Sequence, residues 1–327
     1  MTDDDASRDE LTYADAGVDI DASESATAAL IGAIGEFEGD YAGLVDIGDR
    51  YLALATDGVG TKLLVAEALD DYSTIGIDCI AMNVNDLIAT GVTPVAFVDY
   101  LAVETPDDET AARVGEGLAN GAEQAKMGLI GGETAVMPDV IRGLDLAGTC
   151  AGLATEDELF DGEAAAGDLI VGVPSSGIHS NGLTLAREAA TREYDYTDSF
   201  PYDPDRTVGE VLLEPTRIYR ELLEPLQAAE THAAAHVTGG GWTNLQRMGE
   251  YRYVVEDPFE PQPVFEFIQE EGGVTDEEMH RTFNMGTGFV AALPETDAAT
   301  VVEELDDARV IGRVESGDGV SVRGLEL

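Results

Sequence analysis

Apolar positions fall in short runs broken by glycine, proline and acidic residues, and the runs alternate between strand-like and helical spacing. Tyr51 to Ala55 reads as a strand. Thr74 to Thr90 carries apolar residues at helical spacing and stops at Gly91 and Pro94, which predicts a helix. Val95 to Val103 alternates as a strand does. Thr105–Pro106 then starts a helix that runs to about Lys126. Gly128 to Pro138 predicts a strand entering a glycine corner, and Leu144 to Leu153 a further strand. Ahead of these lies an Ala-rich helical segment, Ser25 to Phe37, after a polar lead that is expected to fray up to about Glu10.

The pattern restarts after an acidic stretch, Ala154 to Asp168. Leu169 to Val173 predicts a strand, Pro174 to Gly182 a loop, and Leu183 to Ala190 a helix. Tyr194 to Arg206 is polar and reads as a loop. Helices are expected at Val208–Leu213, Thr216–Ala229, Pro263–Gln269, Asp276–Phe283 and Asp297–Leu305. Strands are expected at His232–Val237, Tyr251–Val255, Thr287–Leu293 and Arg309–Val314. No repeat occurs at a solenoid period. Strands and helices alternate in both halves, so the expected class is α+β, with mixed α/β domains over residues 1–156 and 157–327. A length of 327 residues suits two domains at about 150 residues each.

Charge changes the picture. The chain has 17 basic and 66 acidic residues, a net charge of −49. Its apolar periodicity continues almost to the end, which argues for a folded chain rather than a disordered one. The composition predicts an acidic, Lys-poor surface adapted to a salt-rich, halophilic cytoplasm, where counterions screen self-repulsion. The expected result is loss of structure at low salt; circular dichroism unchanged between molar and millimolar salt would contradict it. Nucleic-acid binding needs a Lys/Arg footprint that is missing here. No run approaches the ~20 apolar residues of a membrane span, and the acidic N-terminus does not read as a signal peptide. Cys79 and Cys150 form no CxxC, which fits buried, inert thiols in a reducing compartment.

The candidate chemistry starts at Ala55-Thr56-Asp57-Gly58-Val59-Gly60-Thr61-Lys62. Glycines here let backbone N–H groups approach a phosphate. The order Thr–Lys and the glycine spacing exclude a P-loop, and Gly286 to Ala291, although it matches GxGxxA, reads as a strand rather than a strand–helix turn. The helix behind the turn is apolar yet carries Asp78, Asn83, Asn85 and Asp86, polar groups that need partners. A metal–phosphate would supply them. Asp57, Asp86 and Glu133 are hard oxygen ligands that suit Mg²⁺ on phosphate. Against this, most carboxylates of so acidic a chain are solvated surface, although a carboxylate set in apolar or glycine-rich sequence needs a partner. Lys62, one of only two lysines, reads either as a phosphate contact or as an ordinary ion pair. The loop Pro174 to Gly182 gathers Ser176, His179, Ser180 and Asn181. Ser180 could cap the following helix, whose N–H groups could hold an anion, or the loop is a plain capped turn. His232 and His236 would stand about 13 Å apart along a strand, too far to share a metal, and read as structural. GxSxG, CxxC and HExxH are missing, so hydrolase and zinc readings lack local support.

Taken together, these motifs resemble those of the phosphoribosylformylglycinamidine cyclo-ligases, also called aminoimidazole ribonucleotide synthetases. The resemblance rests on Thr12–Ala22, Thr56–Lys62, Gly76–Leu87, Gly131–Pro138, Ser175–Gly182, Glu214–Tyr219, His236–Gly241 and Phe283–Gly288, in that order. It implies ATP-dependent ring closure: the γ-phosphoryl group activates a formyl oxygen, a substrate nitrogen attacks, and phosphate leaves. It also implies ATP and Mg²⁺, with Asp57 and Asp86 as Mg²⁺–ATP ligands and catalytic residues, and Glu133 as a third ligand. Gly58, Gly60, Thr61 and Lys62, with Asn83 and Asn85, would hold the nucleotide. Ser176, Ser180 and Asn181 would contact substrate, with His179 catalytic. A homodimer pairing its N-terminal sheets is implied as well. Three departures stand out: the glycine-rich run is shortened to Glu38–Gly43, Ile178 stands where proline is frequent, and Val136 stands where glutamate is frequent. A kinase of the same superfamily, or a non-catalytic nucleotide-binding module, is the alternative reading.

Overall fold

The computed structural model describes residues 11–18, 25–30 and 41–327. Most of the polar lead, residues 31–37 of the Ala-rich segment and Glu38 to Asp40 of the shortened glycine run lie outside them. Helix α1 is described over residues 25–30, where it is exposed.

The first half builds one sheet from β1 (Gly43–Asp46), β2 (Tyr51–Gly58), β3 (Thr93–Val103), β4 (Gly128–Val136) and β5 (Leu144–Ala154), in the order β1-β2-β5-β3-β4. Only β3 and β4 pair in parallel, across the crossover helix α4 (Asp108–Gln124). The Asp107 side chain caps α4 on the Thr110 N–H, two residues past the expected Thr105–Pro106 start. Helix α2 (Lys62–Leu69) opens directly out of the glycine turn, and α3 (Ile75–Ile88) follows. One face of the sheet is covered by α3. Backbone meets backbone where α3 and α4 cross: a Cβ on Gly76 would lie 2.2 Å from the Leu118 nitrogen, so no larger residue fits. Cys79 and Cys150 are free and buried in this layer, and burial pushes both thiols up, that of Cys150 to about 12.

Among the described residues nothing covers the other face of this sheet. Leu54 on β2, Val98 and Tyr100 on β3 and Ile130 on β4 are exposed, Ile130 at 71%.

The second half builds a seven-stranded sheet, ordered β14-β13-β10-β12-β6-β11-β9. Its strands are β6 (Leu169–Pro174), β9 (Ala233–His236), β10 (Arg252–Val255), β11 (Thr287–Leu293), β12 (Arg309–Glu315), β13 (Gly319–Val322) and β14 (Leu325–Glu326). Strand β11 is buried at every residue, as its unbroken apolar run requires. It is a strand and not the start of a nucleotide-binding helix. Helices α5 (Leu183–Ala190), α6 (Val208–Leu212), α7 (Leu223–Ala228), α8 (Pro263–Gly272), α9 (Asp276–Thr282) and α10 (Glu295–Glu304) fill in around the sheet. Two expectations need correction. The polar loop from Tyr194 contains a small hairpin, β7 (Ser199–Phe200) and β8 (Asp203–Thr207). The helix expected from Thr216 begins only as a 3₁₀ turn at Arg220–Leu222, because the segment before it is spent on contacts with the first domain.

Candidate active site between the domains

Helix α3 supplies the site from two adjacent stripes. Asp78, Met82 and Asn85 recur at helical spacing on the stripe facing the second domain; Asn83 and Asp86 lie beside them. The polar residues were expected to need a bound ligand. Two of them, Asp78 and Asn85, are tied to the second domain instead. Asp78 Oδ1 accepts hydrogen bonds from Lys62 Nζ at 2.8 Å, the Thr216 N–H at 2.8 Å, the Thr216 hydroxyl at 2.6 Å and the Ser180 hydroxyl at 3.3 Å. Asn85 accepts from the Tyr219 N–H and donates to the Arg217 carbonyl. Residues 214–219 take no regular secondary structure, and their backbone serves these two side chains.

This corrects three assignments. Lys62 is fully buried, and its ammonium is held by Asp78 and by the Glu214 carbonyl at 2.5 Å. It is an ion pair, not an open phosphate contact; burial lowers its pKa while Asp78 opposes that shift. Asn85 is a clamp between domains. Ser180 does not cap α5, whose N-cap is Gly182 in the left-handed region without a side-chain bond, and its hydroxyl belongs to the Asp78 cluster. The clamp thus ties the glycine turn, α3, the serine loop and residues 214–219 into one buried unit.

Asp57, at the end of β2, and Asp86 are what remains open. Burial raises the Asp57 carboxyl to about 6; the Asp86 charge adds to this, while the Gly58 N–H and His236 oppose it. Asp57 is therefore mostly ionised near neutrality, in the field of the Asp86 carboxylate. Asn83 donates to the Asp57 carbonyl and leaves its own Oδ1 buried without a partner among the described residues. Like charges crowded beside an unpaired oxygen fit a hard cation. Glu133 does not join them. The register runs Asp57–Gly148–Asp99–Gly132 across four strands, so Glu133 is roughly 14 Å away at the ordinary strand spacing and on the opposite face. Among the described residues no group of three or more His, Cys, Asp or Glu could hold a metal.

Behind Asp86 stands His236, fully buried at the end of β9. Its Nε2 faces the Asn85 amide donor at 3.3 Å, so Nδ1 carries the proton and donates to Asp86 Oδ1 at 3.3 Å. His232, four residues earlier, instead pairs with Asp168 at 2.8 Å. Reading both histidines as structural missed that His236 orients an acidic site residue. The signal available was the Thr238–Gly241 turn that follows it.

The serine loop reaches the same place from the second domain. His179 sits in the left-handed region at φ 68° and is buried. Its Nε2 accepts from the Ser176 N–H at 3.2 Å, and Nδ1 is left buried and unpaired among the described residues. Burial holds its pKa well below the usual histidine range, and His236 and Lys62 add to that, so the ring is neutral near pH 7. Gly288 makes room for it: a Cβ there would lie 2.0 Å from the Tyr219 hydroxyl and 2.8 Å from His179 Cε1. Ser176 donates to the Pro215 carbonyl at 2.6 Å. Asn181 is partly exposed, and among the described residues its only side-chain hydrogen-bond contact is a long one, 3.9 Å, to Met82 Sδ. In the glycine turn, Gly60 has φ 70° with open space at its Cβ position, and the Thr61 and Thr184 hydroxyls meet at 2.8 Å.

Residues 39–154 match the model for "AIR synthase related protein, N-terminal domain", and residues 165–324 that for "AIR synthase related protein, C-terminal domain". The phosphoribosylformylglycinamidine cyclo-ligase of Methanosarcina acetivorans is 50% identical over 320 residues, covering 94% of this chain and 96% of that one. That of Methanocaldococcus jannaschii is 45% identical over 337 residues, covering 97% and 95%. Among solved structures, thiamine monophosphate kinase from Aquifex aeolicus superposes with a TM-score of 0.64 at 20% identity, covering 93% of this chain and 98% of that one. T. maritima PurL complexed with FGAR gives 0.61 at 16% identity, covering 88% of this chain and 46% of that one. The two structural likenesses establish the two-domain α+β fold. The sequence identity, held across both domains and nearly the full length, goes further: the chain belongs to the phosphoribosylformylglycinamidine cyclo-ligase family.

Proposed function

We propose that the cleft between the domains is where this chain carries out its family's reaction, with Asp57 and Asp86 at the nucleotide end and the serine loop at the substrate end. The reaction is the ATP-dependent cyclisation of formylglycinamidine ribonucleotide to 5-aminoimidazole ribonucleotide in purine biosynthesis. The observation that carries the site assignment is the juxtaposition of Asp57 and Asp86, the second braced by His236. When bound there, Mg²⁺ would neutralise the pair and the phosphate oxygens of ATP. Backbone N–H groups of Gly58, Gly60 and Thr61 line the turn beside it. The formyl oxygen of the substrate takes the γ-phosphoryl group. A substrate nitrogen then attacks the formyl carbon, the C–O bond breaks, and phosphate departs with that oxygen while a nitrogen-bound proton is lost. His179 is neutral, so in this reading it acts as a hydrogen-bond donor from Nδ1 to the substrate, not as an imidazolium acid. Asn181 and Ser176 offer further substrate contacts.

The domain division is taken at residues 1–156 and 157–327, in a cytoplasmic enzyme. We assign the uncovered sheet face to a second copy of the chain. Leu54, Val98, Tyr100 and Ile130 make a contiguous apolar surface on strands whose opposite side is packed by α3, and patches of this kind mark interfaces. Nothing favours nucleic acid as a partner, and among the described residues no helix is long and apolar enough to cross a membrane.

The test is turnover in high salt with ATP, Mg²⁺ and formylglycinamidine ribonucleotide. The expected result is one ADP and one free phosphate for each imidazole ring. A phosphorylated small molecule without ring product would favour the kinase reading, and ATP binding without turnover a non-catalytic module.

A further inference from the structure

A second cavity, of about 750 Å³, opens beyond the end of β9. Its walls include Tyr13 from the N-terminal segment, Gly240 and Thr243 after the glycine turn, and Arg247 and Arg281. Two arginines in one cavity are notable in a chain with 17 basic and 66 acidic residues. Arg247 is exposed and makes no ion pair among the described residues; its guanidinium lies over the Tyr41 ring at 5.0 Å from the centroid. Arg281 uses Nε on Glu277 at 3.0 Å, and its terminal nitrogens have no hydrogen-bond partner among the described residues. One carboxylate, Glu278, also borders the cavity. Its Oε1 is committed to the Tyr13 N–H at 2.9 Å and the Thr282 hydroxyl at 3.2 Å, so it anchors the N-terminal segment.

The cavity adjoins the serine loop. A Cβ on Gly239 would lie 3.0 Å from Asn181 Oδ1, and the Gly182 backbone bonds to the Tyr13 side chain. Asp86 and His236 lie at the other end of the same connection. The Thr238–Gly241 turn lies between them, with the cavity on its far side from His236 and Asp86.

We propose that this cavity receives the 5′-phosphate of the ribonucleotide substrate, with Arg247 as its principal contact and Arg281 as the second. This rests on the reading of the interdomain cleft given above. A phosphate dianion suits two guanidinium donors in one cavity; the Thr243 hydroxyl is already donated to the Gly240 carbonyl at 2.6 Å. The serines first assigned to substrate are largely spent inside the protein, so the phosphate needs other donors. ATP is held at the opposite end, by the glycine turn.

The test uses the full-length protein in high salt and two measurements. In the first, ribose 5-phosphate is titrated by calorimetry into wild type, Arg247→Met and Arg247→Lys. Loss of a charge-assisted hydrogen bond predicts affinity weaker by about ten- to a hundredfold in Arg247→Met, with partial recovery in Arg247→Lys. In the second, kcat/KM is compared for the ribonucleotide and its dephosphorylated nucleoside. Removing the phosphate costs the wild type far more than it costs Arg247→Met, and KM for ATP is unchanged. Ribose 5-phosphate that binds neither protein, or binds both equally, overturns the assignment, as does a raised KM for ATP with an unchanged phosphate penalty. Failure of the cleft reading would show differently, as wild type that makes no ring product while still binding ribose 5-phosphate through Arg247, a result that supports the phosphate site by itself.

Discussion

Asp78→Ala is expected to unfold at a clearly lower denaturant concentration than wild type, losing roughly 3–5 kcal/mol. The substitution leaves Lys62 buried with no counter-charge and removes the acceptor for the Thr216 N–H, the Thr216 hydroxyl and the Ser180 hydroxyl. Lys62→Met alone is also destabilising, because the Asp78 carboxylate then keeps only neutral donors. The double variant Lys62→Met/Asp78→Leu should recover part of the loss, since no uncompensated charge remains. Recovery stays partial because Thr216 and Ser180 still lack their acceptor. Denaturant midpoints in molar salt, read by both circular dichroism and Trp242 fluorescence, make the comparison. An Asp78→Ala midpoint equal to that of wild type would remove the clamp from the account of how the domains are held.

Asp86→Asn is expected to lose turnover by at least about a hundred- to thousandfold, with the fold and the proposed dimer intact. The amide oxygen can still accept the His236 Nδ1–H, so the position of the side chain survives. What is lost is the charge that, with Asp57, would hold Mg²⁺ on ATP. Sedimentation in high salt reports the dimer, and steady-state kinetics the turnover. Activity near wild type would take Asp86 out of the metal site.

Much of the architecture is legible in the sequence because the strands are short apolar runs between glycines, and α5 and β11 coincide with their expected limits. Failures occur where long-range contacts override local pattern. Residues 216–219 look helical, yet Asp78 and Asn85, more than 130 residues away, take up the Thr216 and Tyr219 N–H groups and leave the segment without regular structure. The same contacts explain the misreading of Lys62. A scarce lysine beside a glycine turn looks like a phosphate ligand, and only the position of Asp78 sixteen residues later, one helix away, reveals the ion pair. Glu133 sits in a conspicuous glycine context, but strand order and pleat, which local sequence does not display, place it on the far face. His236 was undervalued because its partners Asn85 and Asp86 come from the other domain. Asp57 and Asp86 were legible as a pair because each carboxylate stands in surroundings too apolar or glycine-rich for a solvated charge.

The central claim is that ring closure proceeds by transfer of the γ-phosphoryl group to the formyl oxygen. Its most direct test is a single turnover with substrate carrying ¹⁸O in the formyl group, ATP and Mg²⁺ in high salt, with mass analysis of the released phosphate. The account predicts one ¹⁸O in the phosphate for each ring formed. Ring formation with unlabelled phosphate, the ¹⁸O appearing in water instead, would contradict it.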